Sequence, residues 1–277
     1  MSTTNKGIRL IAVDLDHTLL DGDLQVSERN RRALALAAQE DVTVAIATGR
    51  THSSARKYAL DLEIEAPVIS YNGAMIRGAS ADEPMRHVPL PADLAAEIVD
   101  LLVEKQIDLM YFIDDSIYAP RFDRWAYEYL QRTGDRAQIF GDLRRMAGKE
   151  PTKLLLLGTP EQTQERYEFF TDHYGDRVYA TISLPQYMEL LNPEATKASA
   201  LRWLADHLDV PMEQTMALGD SLNDLEMVEA AGVGVFMARA DEQLRQQADF
   251  VPDDERDGVA EAVERFVLDG VVGGDGG

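Results

Sequence analysis

The feature that most limits the possible folds is an apolar segment that ends in two carboxylates. Residues 8–13 are largely apolar and are followed at once by Asp14 and Asp16. An apolar run of this length predicts a buried strand of a parallel sheet. In an extended chain both carboxylates would lie on one face, beyond the carboxyl end of the strand, where α/β proteins bind ligands. Two neighbouring carboxylates repel each other unless a cation or a proton intervenes, so the pair is a candidate site. A strand followed by an acidic turn is the alternative that this segment alone leaves open.

Apolar segments alternate with helical patterns in the first and last thirds of the chain. This alternation predicts a doubly wound parallel sheet with helices on its faces, so the expected fold class is α/β. An Asn72–Gly73 pair closes the third strand, because this dipeptide favours a tight turn. The predicted strands are residues 8–13, 42–47, 67–70, 215–218 and 233–237, and the predicted helices are residues 27–40, 53–60, 197–208, 222–231, 241–248 and 258–267.

The middle of the chain has a different pattern, in which helices are mixed with short strand pairs. Such a mixture favours an α+β module with one open sheet face. We therefore expect an inserted α+β domain of residues 84–186, flanked by two core segments, residues 1–83 and 187–277. The predicted strands of this middle part of the chain are residues 107–113, 116–119, 153–158 and 178–183, with a further strand at residues 187–191 just beyond the insert, and its predicted helices are residues 91–105, 122–131 and 160–173.

Charge and composition exclude several classes of partner. The 277-residue chain carries a formal net charge of −22 and has no cysteine. Nucleic acid polymers and anionic membranes need basic surfaces, so neither is expected, although a cleft can still bind a small anionic substrate. No apolar stretch approaches the ~20 residues of a membrane-spanning helix, and no signal peptide is visible. We expect a cytoplasmic protein, and we expect residues 270–277 to form a disordered tail.

Three further motifs lie where predicted strands end or where a helix begins. Residues 48–50 (Thr-Gly-Arg) follow the second strand, where a hydroxyl and a free backbone N–H can bind phosphoryl oxygens. Lys197 begins a helix, where an ammonium opposes the helix dipole and suggests a role in neutralising an anion. Residues 219–224 (Gly-Asp-Ser-Leu-Asn-Asp) end a strand, so Asp220 can reach a metal shared with the first acidic pair. Taken singly, each motif also fits a glycine turn, a solvated lysine or a helix cap.

Together and in this order, the motifs resemble those of the haloacid dehalogenase superfamily. They are Asp-Leu-Asp-His-Thr-Leu at residues 14–19, Thr-Gly-Arg at residues 48–50, Lys197, and Gly-Asp-Ser-Leu-Asn-Asp at residues 219–224. The insert between the second and third motifs is similar to the large cap of the Cof-type (HAD-IIB) branch. The resemblance covers nearly the whole chain and implies a HAD-like parallel-sheet core with an inserted α+β cap.

The resemblance implies a Mg²⁺-dependent phosphomonoester hydrolase that acts on small phosphorylated metabolites such as sugar phosphates. In this family pattern Asp14 is the nucleophile that forms an aspartyl-phosphate, and Asp16 is the general acid and base. The implied metal ligands are Asp14, the backbone carbonyl of Asp16, and Asp220. Asp224 would order metal-bound water or the motif lysine, and Arg50 would contact the substrate or brace its loop. The implied phosphate-binding groups are the backbone N–H of Leu15, Thr48, Gly49, Lys197 and Asn223.

Two positions depart from the Cof-type pattern, and several cap residues have open roles. His17 stands where this branch usually has glycine, and Arg239 stands where it typically has asparagine. Neither change removes a catalytic group, so they bear on substrate choice more than on chemistry. Glu189 would contact a sugar hydroxyl or pair with a neighbouring residue. The residues that could contact the leaving group, or simply lie in solvated loops, are Asp114, Asp115, Tyr118 and Arg121.

Two other functions stay open on the sequence alone. A phosphotransferase or hexose phosphomutase would pass the aspartyl-phosphate to a sugar instead of to water. A regulatory protein would bind a phosphorylated metabolite without turnover, although a pure binder has little need of a nucleophile beside an acid. The expected partner is a small phosphorylated substrate, and the expected assembly is a monomer or a weak dimer.

Overall fold

The first β-sheet forms the core of the protein. The structure, a computed structural model, describes residues 7–63 and 66–268. The strands of this sheet are β1 (Leu10–Val13), β2 (Thr43–Ala47), β3 (Pro67–Ser70), β4 (Met75–Gly78), β5 (Arg86–His87), β12 (Thr215–Gly219) and β13 (Val233–Phe236). They lie in the order β13-β12-β1-β2-β3-β4-β5. The five strands from β13 to β3 are parallel neighbours, whereas β4 and β5 are antiparallel additions at one edge.

Helices cover both faces of this sheet and explain the apolar sequence of its central strand. All four residues of β1 are fully buried, because apolar clusters lie on either side of it. The predicted N-cap Ser27 accepts a hydrogen bond from the backbone N–H of Asn30 and begins the first helix. The α/β class predicted from the sequence is therefore confirmed. The helices are α1 (Glu28–Gln39), α2 (His52–Asp61), α6 (Lys197–His207), α7 (Leu225–Ala230), α8 (Glu242–Arg245) and α9 (Gly258–Phe266).

The second β-sheet and its helices are called the cap here. Its strands are β6 (Leu109–Ile113), β7 (Ser116–Ala119), β8 (Ala137–Ile139), β9 (Lys153–Leu157), β10 (Tyr179–Leu184) and β11 (Tyr187–Leu191), and its helices are α3 (Ala92–Glu104), α4 (Arg124–Thr133) and α5 (Pro160–Tyr174). The strand order is β10-β11-β9-β6-β7-β8. Helices α3 and α5 pack on one face. The other face, expected to be open, is buried against α4 and against Tyr71 and Met75 of the core.

Sheet membership differs from both expected boundaries of the cap. The division after residue 186 falls within the β10–β11 hairpin, because β11 pairs with both β9 and β10. Strand β11 therefore belongs to the cap sheet and not to the core sheet. The expected start at residue 84 precedes β5, which pairs with β4 and so belongs to the core sheet. The cap strands accordingly lie within residues 109–191.

Three short strands at or next to a sheet edge were not predicted from the sequence pattern. Strands β4, β5 and β8 have two to four residues each, too few for a recognisable period. Helix α8 is shorter than the predicted residues 241–248, and the helix predicted at 222–231 begins with a 3₁₀ turn before α7. The tail predicted at residues 270–277 lies outside the described residues. Among the described helices, none is both long enough and apolar enough to cross a membrane.

Candidate active site

The sequence motifs meet at one edge of the core sheet. Asp14, Thr48 and Asp220 each directly follow a parallel strand, β1, β2 and β12 respectively. These strands are neighbours, so their carboxyl ends lie side by side. A cavity of about 230 Å³ lies between this edge and the cap. The residues that line it from the core are Asp14, Asp16, His17, Thr48, Gly49, Arg50, Asp220, Ser221 and Asn223.

Lys197 connects the first and the last motif. Its ammonium donates to Oδ1 of Asp14 at 2.7 Å and to Oδ1 of Asp224 at 2.6 Å, and its side chain is 1% exposed. Thr196 caps α6, so Lys197 is the first residue of that helix, as predicted. Burial acts to lower the pKa of Lys197, but the charges of Asp14 and Asp224 outweigh it, so the pKa is raised and the ammonium is retained. A buried ammonium beside Asp14 can neutralise an anion bound there.

Asp224 organises the loop that carries Asp220. Its Oδ2 accepts hydrogen bonds from the backbone N–H groups of Asp220 and Ser221, both at 3.1 Å. A Cβ atom at Gly219 would lie 2.4 Å from Cβ of Asp224, so this close approach requires glycine. Because both oxygens of Asp224 are engaged by protein donors, its place fits the expected role of ordering the motif lysine.

The carboxylates of this site carry more negative charge than Lys197 neutralises. Burial and the neighbouring charge of Asp224 raise the pKa of Asp220 to about 7. Burial also raises the pKa of Asp14, and the opposing charge of Lys197 does not cancel this effect. Excess negative charge among buried oxygens is the condition that a bound cation relieves.

Asp14, Asp220 and Asp224 form a group of oxygen ligands suited to a metal ion. One carboxylate oxygen from each lies within 4.8 Å of the others. Hard oxygen donors of this kind suit Mg²⁺. Since Asp224 is already engaged by Lys197 and by backbone N–H groups, Asp14 and Asp220 are the side chains that remain to bind a metal. The residues present therefore fit the expected metal site.

Asp16 is bound by Arg50 in a bidentate ion pair. Nε and Nη2 of Arg50 donate to the two carboxylate oxygens at 2.8 and 2.6 Å. Arg132 of α4 lies 3.9 Å from the same carboxylate. Burial acts to raise the pKa of Asp16, but the hydrogen bonds and charge of Arg50 dominate and lower it. Arg50 also donates to the hydroxyl of Tyr58 at 3.2 Å, which braces its loop, and it lines the cavity, where it can contact a substrate. The geometry therefore fits both expected roles of Arg50.

The expected phosphate-binding residues are close to one another but differ in exposure. Thr48 is buried and its hydroxyl accepts from the backbone N–H of Arg50 at 3.2 Å. Gly49 lies against Asn72, whose Oδ1 would be 3.0 Å from an added Cβ. Asn223 donates to the same Oδ1 at 3.0 Å. Leu15 is fully buried between the two acids at the end of β1.

A buried ion pair in the cap was not predicted and contacts the phosphate-binding loops. Lys153 of β9 and Glu189 of β11 lie 3.1 Å apart, with side chains 1% and 3% exposed. Lys153 also donates to the carbonyl oxygen of Gly49 at 3.0 Å, and Glu189 accepts from Nδ2 of Asn72 at 2.6 Å. Of the two expectations for Glu189, the structure shows pairing with neighbours. The sequence feature that could have indicated this ion pair is the lysine at the first position of an apolar strand.

The other cap candidates do not line the cavity. Asp115 accepts from the hydroxyl of Tyr71 at 2.7 Å and from the backbone N–H of His52 at 3.1 Å, so it joins the cap to the core. Tyr118 packs edge-on against Phe140. Arg121 forms an exposed ion pair with Asp108. Asp114 lies in the β6–β7 turn with a φ of 48°.

The two residues that depart from the family pattern contact each other. Nη1 of Arg239 lies 3.1 Å from Nδ1 of His17 at the exposed side of the cavity. His17 has a φ of 68°, a conformation that glycine adopts more readily. Burial and the charge of Arg239 lower the pKa of His17. The neutral ring can then accept a hydrogen bond at Nδ1.

A protein-family model described as haloacid dehalogenase-like hydrolase matches residues 11–263 of the chain. The chain belongs to this family. The match spans the core segments and the cap together, so the resemblance inferred from four short motifs is confirmed. Enzymes of this family generally use a divalent metal ion, in keeping with the acidic group at Asp14 and Asp220.

Several relatives of the chain are named as phosphatases. The chain is 31% identical to phosphatase YwpJ of Bacillus subtilis over 274 residues, covering 88% of this chain and 94% of the relative. It is 28% identical to 5-amino-6-(5-phospho-D-ribitylamino)uracil phosphatase YitU of the same organism over 262 residues, covering 93% and 97%. The solved structure of TM0651 from Thermotoga maritima superimposes with a TM-score of 0.82 at 28% identity, covering 93% and 97%. The expectation of an enzyme of the phosphatase type is confirmed.

Proposed function

We propose that this enzyme hydrolyses small phosphomonoesters with Mg²⁺ through an aspartyl-phosphate formed on Asp14. The observation that supports this most strongly is the joint presence of Asp14, Asp16 and Asp220 around one cavity, with the buried Lys197 ammonium bound to Asp14 behind it. A nucleophile, a second carboxylate for proton transfer and a buried cation are the groups that such chemistry needs.

Asp14 is the proposed nucleophile. Its Oδ1 is bound by Lys197, which leaves the second carboxylate oxygen free to attack phosphorus. The new bond joins that oxygen to phosphorus while the bond to the leaving alcohol breaks. Lys197, the hydroxyl of Thr48, the amide of Asn223 and the backbone N–H groups of Leu15 and Gly49 would bind the phosphoryl oxygens. Their preorganised charge stabilises the transferring group.

Asp16 is the proposed general acid and base. It would donate a proton to the departing alkoxide and then take one from the water that hydrolyses the aspartyl-phosphate. In the structure Arg50 holds Asp16 as a carboxylate, which suits the second of these steps. A bound phosphoryl group would compete with Asp16 for Arg50, and loss of that pairing would let Asp16 bind the proton required for the first step.

Asp14, Asp220 and the backbone carbonyl of Asp16 would hold the Mg²⁺, and Asp224 would support them through Lys197. When bound, the metal reduces repulsion between Asp14 and the substrate phosphate and stabilises charge on the transferring group. The proposal includes a cap that closes over the substrate, a cytoplasmic location and a monomer or weak dimer.

The direct test is phosphate release from a panel of sugar phosphates, nucleotides and cofactor phosphates, each with Mg²⁺ and with EDTA. The expected result is release that depends on Mg²⁺ and is abolished by Asp14→Asn in a folded protein. Asp23→Asn is the matched control, because Asp23 is an exposed residue of the loop after the motif. Full activity of Asp14→Asn would contradict the mechanism, and substrate consumption without phosphate release would favour the phosphotransferase alternative.

A further inference from the structure

The buried cap pair Lys153–Glu189 contacts the core on the phosphate side of the cavity. Lys153 donates to the carbonyl oxygen of Gly49, and Glu189 accepts from the side-chain amide of Asn72. Neither cap residue is among the groups proposed to bind the phosphate. Each contact nevertheless leads, through one further residue, to such a group.

The contact of Lys153 fixes the peptide that follows Gly49. Its ammonium donates to the Gly49 carbonyl oxygen at 3.0 Å. In a trans peptide the N–H lies opposite the carbonyl, so the N–H of Arg50 is directed away from Lys153 and donates to Oγ1 of Thr48 at 3.2 Å. Because Oγ1 accepts this bond, the hydroxyl hydrogen of Thr48 is directed elsewhere and can donate to a phosphoryl oxygen. A peptide next to glycine turns easily, so loss of the ammonium would release this arrangement.

The contact of Glu189 fixes two side-chain amides in turn. A carboxylate only accepts hydrogen bonds, so Asn72 presents its NH₂ group to Glu189, at 2.6 Å, and its oxygen to the other side. That oxygen accepts from Nδ2 of Asn223 at 3.0 Å. The hydroxyl of Ser221 bonds Oδ1 of Asn223 at 2.6 Å, but a hydroxyl serves either orientation of an amide, whereas Glu189 serves only one. Asn223 lines the cavity, and the second hydrogen on its nitrogen can bind a phosphoryl oxygen.

The backbone of Asn72 acts on the same site. Its N–H donates to the carbonyl oxygen of Thr48 at 3.0 Å, so the N–H of Gly49, in the same peptide, lies on the opposite side. An added Cβ at Gly49 would be 3.0 Å from Oδ1 of Asn72, so this side chain packs on the loop. Asn72 therefore lies between the two phosphate-binding loops, and Glu189 contacts it from the cap.

From these contacts we propose that the cap pair Lys153–Glu189 positions the groups that bind the transferring phosphoryl oxygens. It acts through the Gly49 peptide and the Asn72 amide. The inference rests on the proposed phosphatase function and adds a role of the cap at the phosphate. Both residues of the pair also border the cavity, so contact with the leaving group is the competing role. A positioning pair affects every ester alike and also affects inhibitors that have no leaving group.

The test exchanges the two hydrogen-bonding groups. Asn72→Asp keeps the shape of the side chain but places a carboxylate against Glu189, and kcat/KM should fall on the order of 100-fold, as when one preorganised donor is removed. In Asn72→Asp/Glu189→Gln the introduced amide donates to the introduced carboxylate, which still accepts from Asn223. The double variant should recover to within about tenfold of the unsubstituted enzyme. Glu165→Gln, at an exposed position of α5, is the control and should leave the activity unchanged.

Each variant is assayed with Mg²⁺ on p-nitrophenyl phosphate and glucose 6-phosphate, and for inhibition by orthovanadate, which has no leaving group. Positioning predicts losses that agree within about threefold for the two esters, weaker inhibition by orthovanadate, and recovery in the double variant. Glu189→Gln alone can turn a donor toward Asn72 and should lose about tenfold on both esters. This variant adds no charge, so it supplies the comparison if thermal unfolding shows that Asn72→Asp does not fold.

Three results would overturn the inference. They are a loss confined to one ester, unchanged inhibition by orthovanadate, and a folded double variant that is no more active than Asn72→Asp. Phosphate release that depends on Asp14 but is unaffected by Glu189→Gln would also overturn it and leave the phosphatase function standing. No release from either ester by the unsubstituted protein would instead overturn the proposed function.

Discussion

The buried Lys153–Glu189 pair offers the sharpest prediction about stability. Both side chains are almost fully buried, and Lys153 joins the cap to the core through the carbonyl oxygen of Gly49. The substitution Lys153→Met keeps the unbranched apolar stem and removes the ammonium. Glu189 then remains buried without its cation, and the Gly49 carbonyl loses a donor.

The magnitude follows from what Glu189 retains. Removing one partner of a buried ion pair costs about 3–5 kcal/mol of the free energy of unfolding. Glu189 keeps hydrogen bonds from Asn72 at 2.6 Å and from Ser183 at 2.8 Å, which favours the lower end of this range. We therefore expect a loss of about 3 kcal/mol for Lys153→Met. The double variant Lys153→Met/Glu189→Gln should recover at least about 1 kcal/mol of that loss, because no uncompensated charge remains.

Urea unfolding followed by tryptophan fluorescence measures this loss in both parts of the molecule. Trp125 lies on α4 of the cap and Trp203 lies on α6 of the core, so replacing one by Phe isolates the signal of the other. Coincident transitions would show that the cap and the core unfold together. Lys149→Met, at an exposed position of the cap, is the matched control. A loss below about 0.5 kcal/mol for Lys153→Met, or no recovery in the double variant, would refute the reasoning.

Two further predictions concern the glycine turn and the acidic site. Gly73→Ala should lower the unfolding free energy by at least about 2 kcal/mol. The φ of Gly73 is +104°, and the new Cβ would lie 2.1 Å from the carbonyl oxygen of Thr196. An unchanged thermal unfolding temperature would contradict this prediction. In EDTA, the free energy of unfolding should fall as pH rises from about 4 to 7. Burial and the charge of Asp224 raise the pKa of Asp220 to about 7. In this pH window the folded state therefore binds more protons than the unfolded state, and raising the pH favours unfolding. Asp220→Asn should reduce that slope in thermal unfolding at pH 5 and pH 7.5, and an identical slope would exclude Asp220 as its source.

The sequence predicted the parts of the molecule that local patterns encode. The strand before Asp14 and the strands before Thr48 and Asp220 were recognisable because buried parallel strands are short, apolar and bounded by polar turns. Their polar ends then had to meet at one edge, which brought Lys197 and Asp224 into the same site. The α/β class and the family followed from the same segments.

Features that depend on long-range contacts could not be predicted in this way. Glu189 meets Asn72 across 117 positions, and Lys153 meets Gly49 across 104, so no local period indicates either contact. The cap boundary was misplaced because a hairpin tip at Pro185 resembles a linker. The bidentate pairing of Asp16 with Arg50 was also invisible, since sequence gives the residue types but not the rotamers that join them.

The most direct test of the central claim is to trap the phosphorylated enzyme. Acid quenching during turnover, followed by tryptic mass mapping, should detect a phosphate on the peptide of residues 10–29, which carries Asp14. Hydroxylamine should remove it, as expected for an acyl phosphate, and Asp14→Asn should give no labelled peptide. Phosphate on another peptide, or steady turnover in the Asp14→Asn variant, would contradict the account.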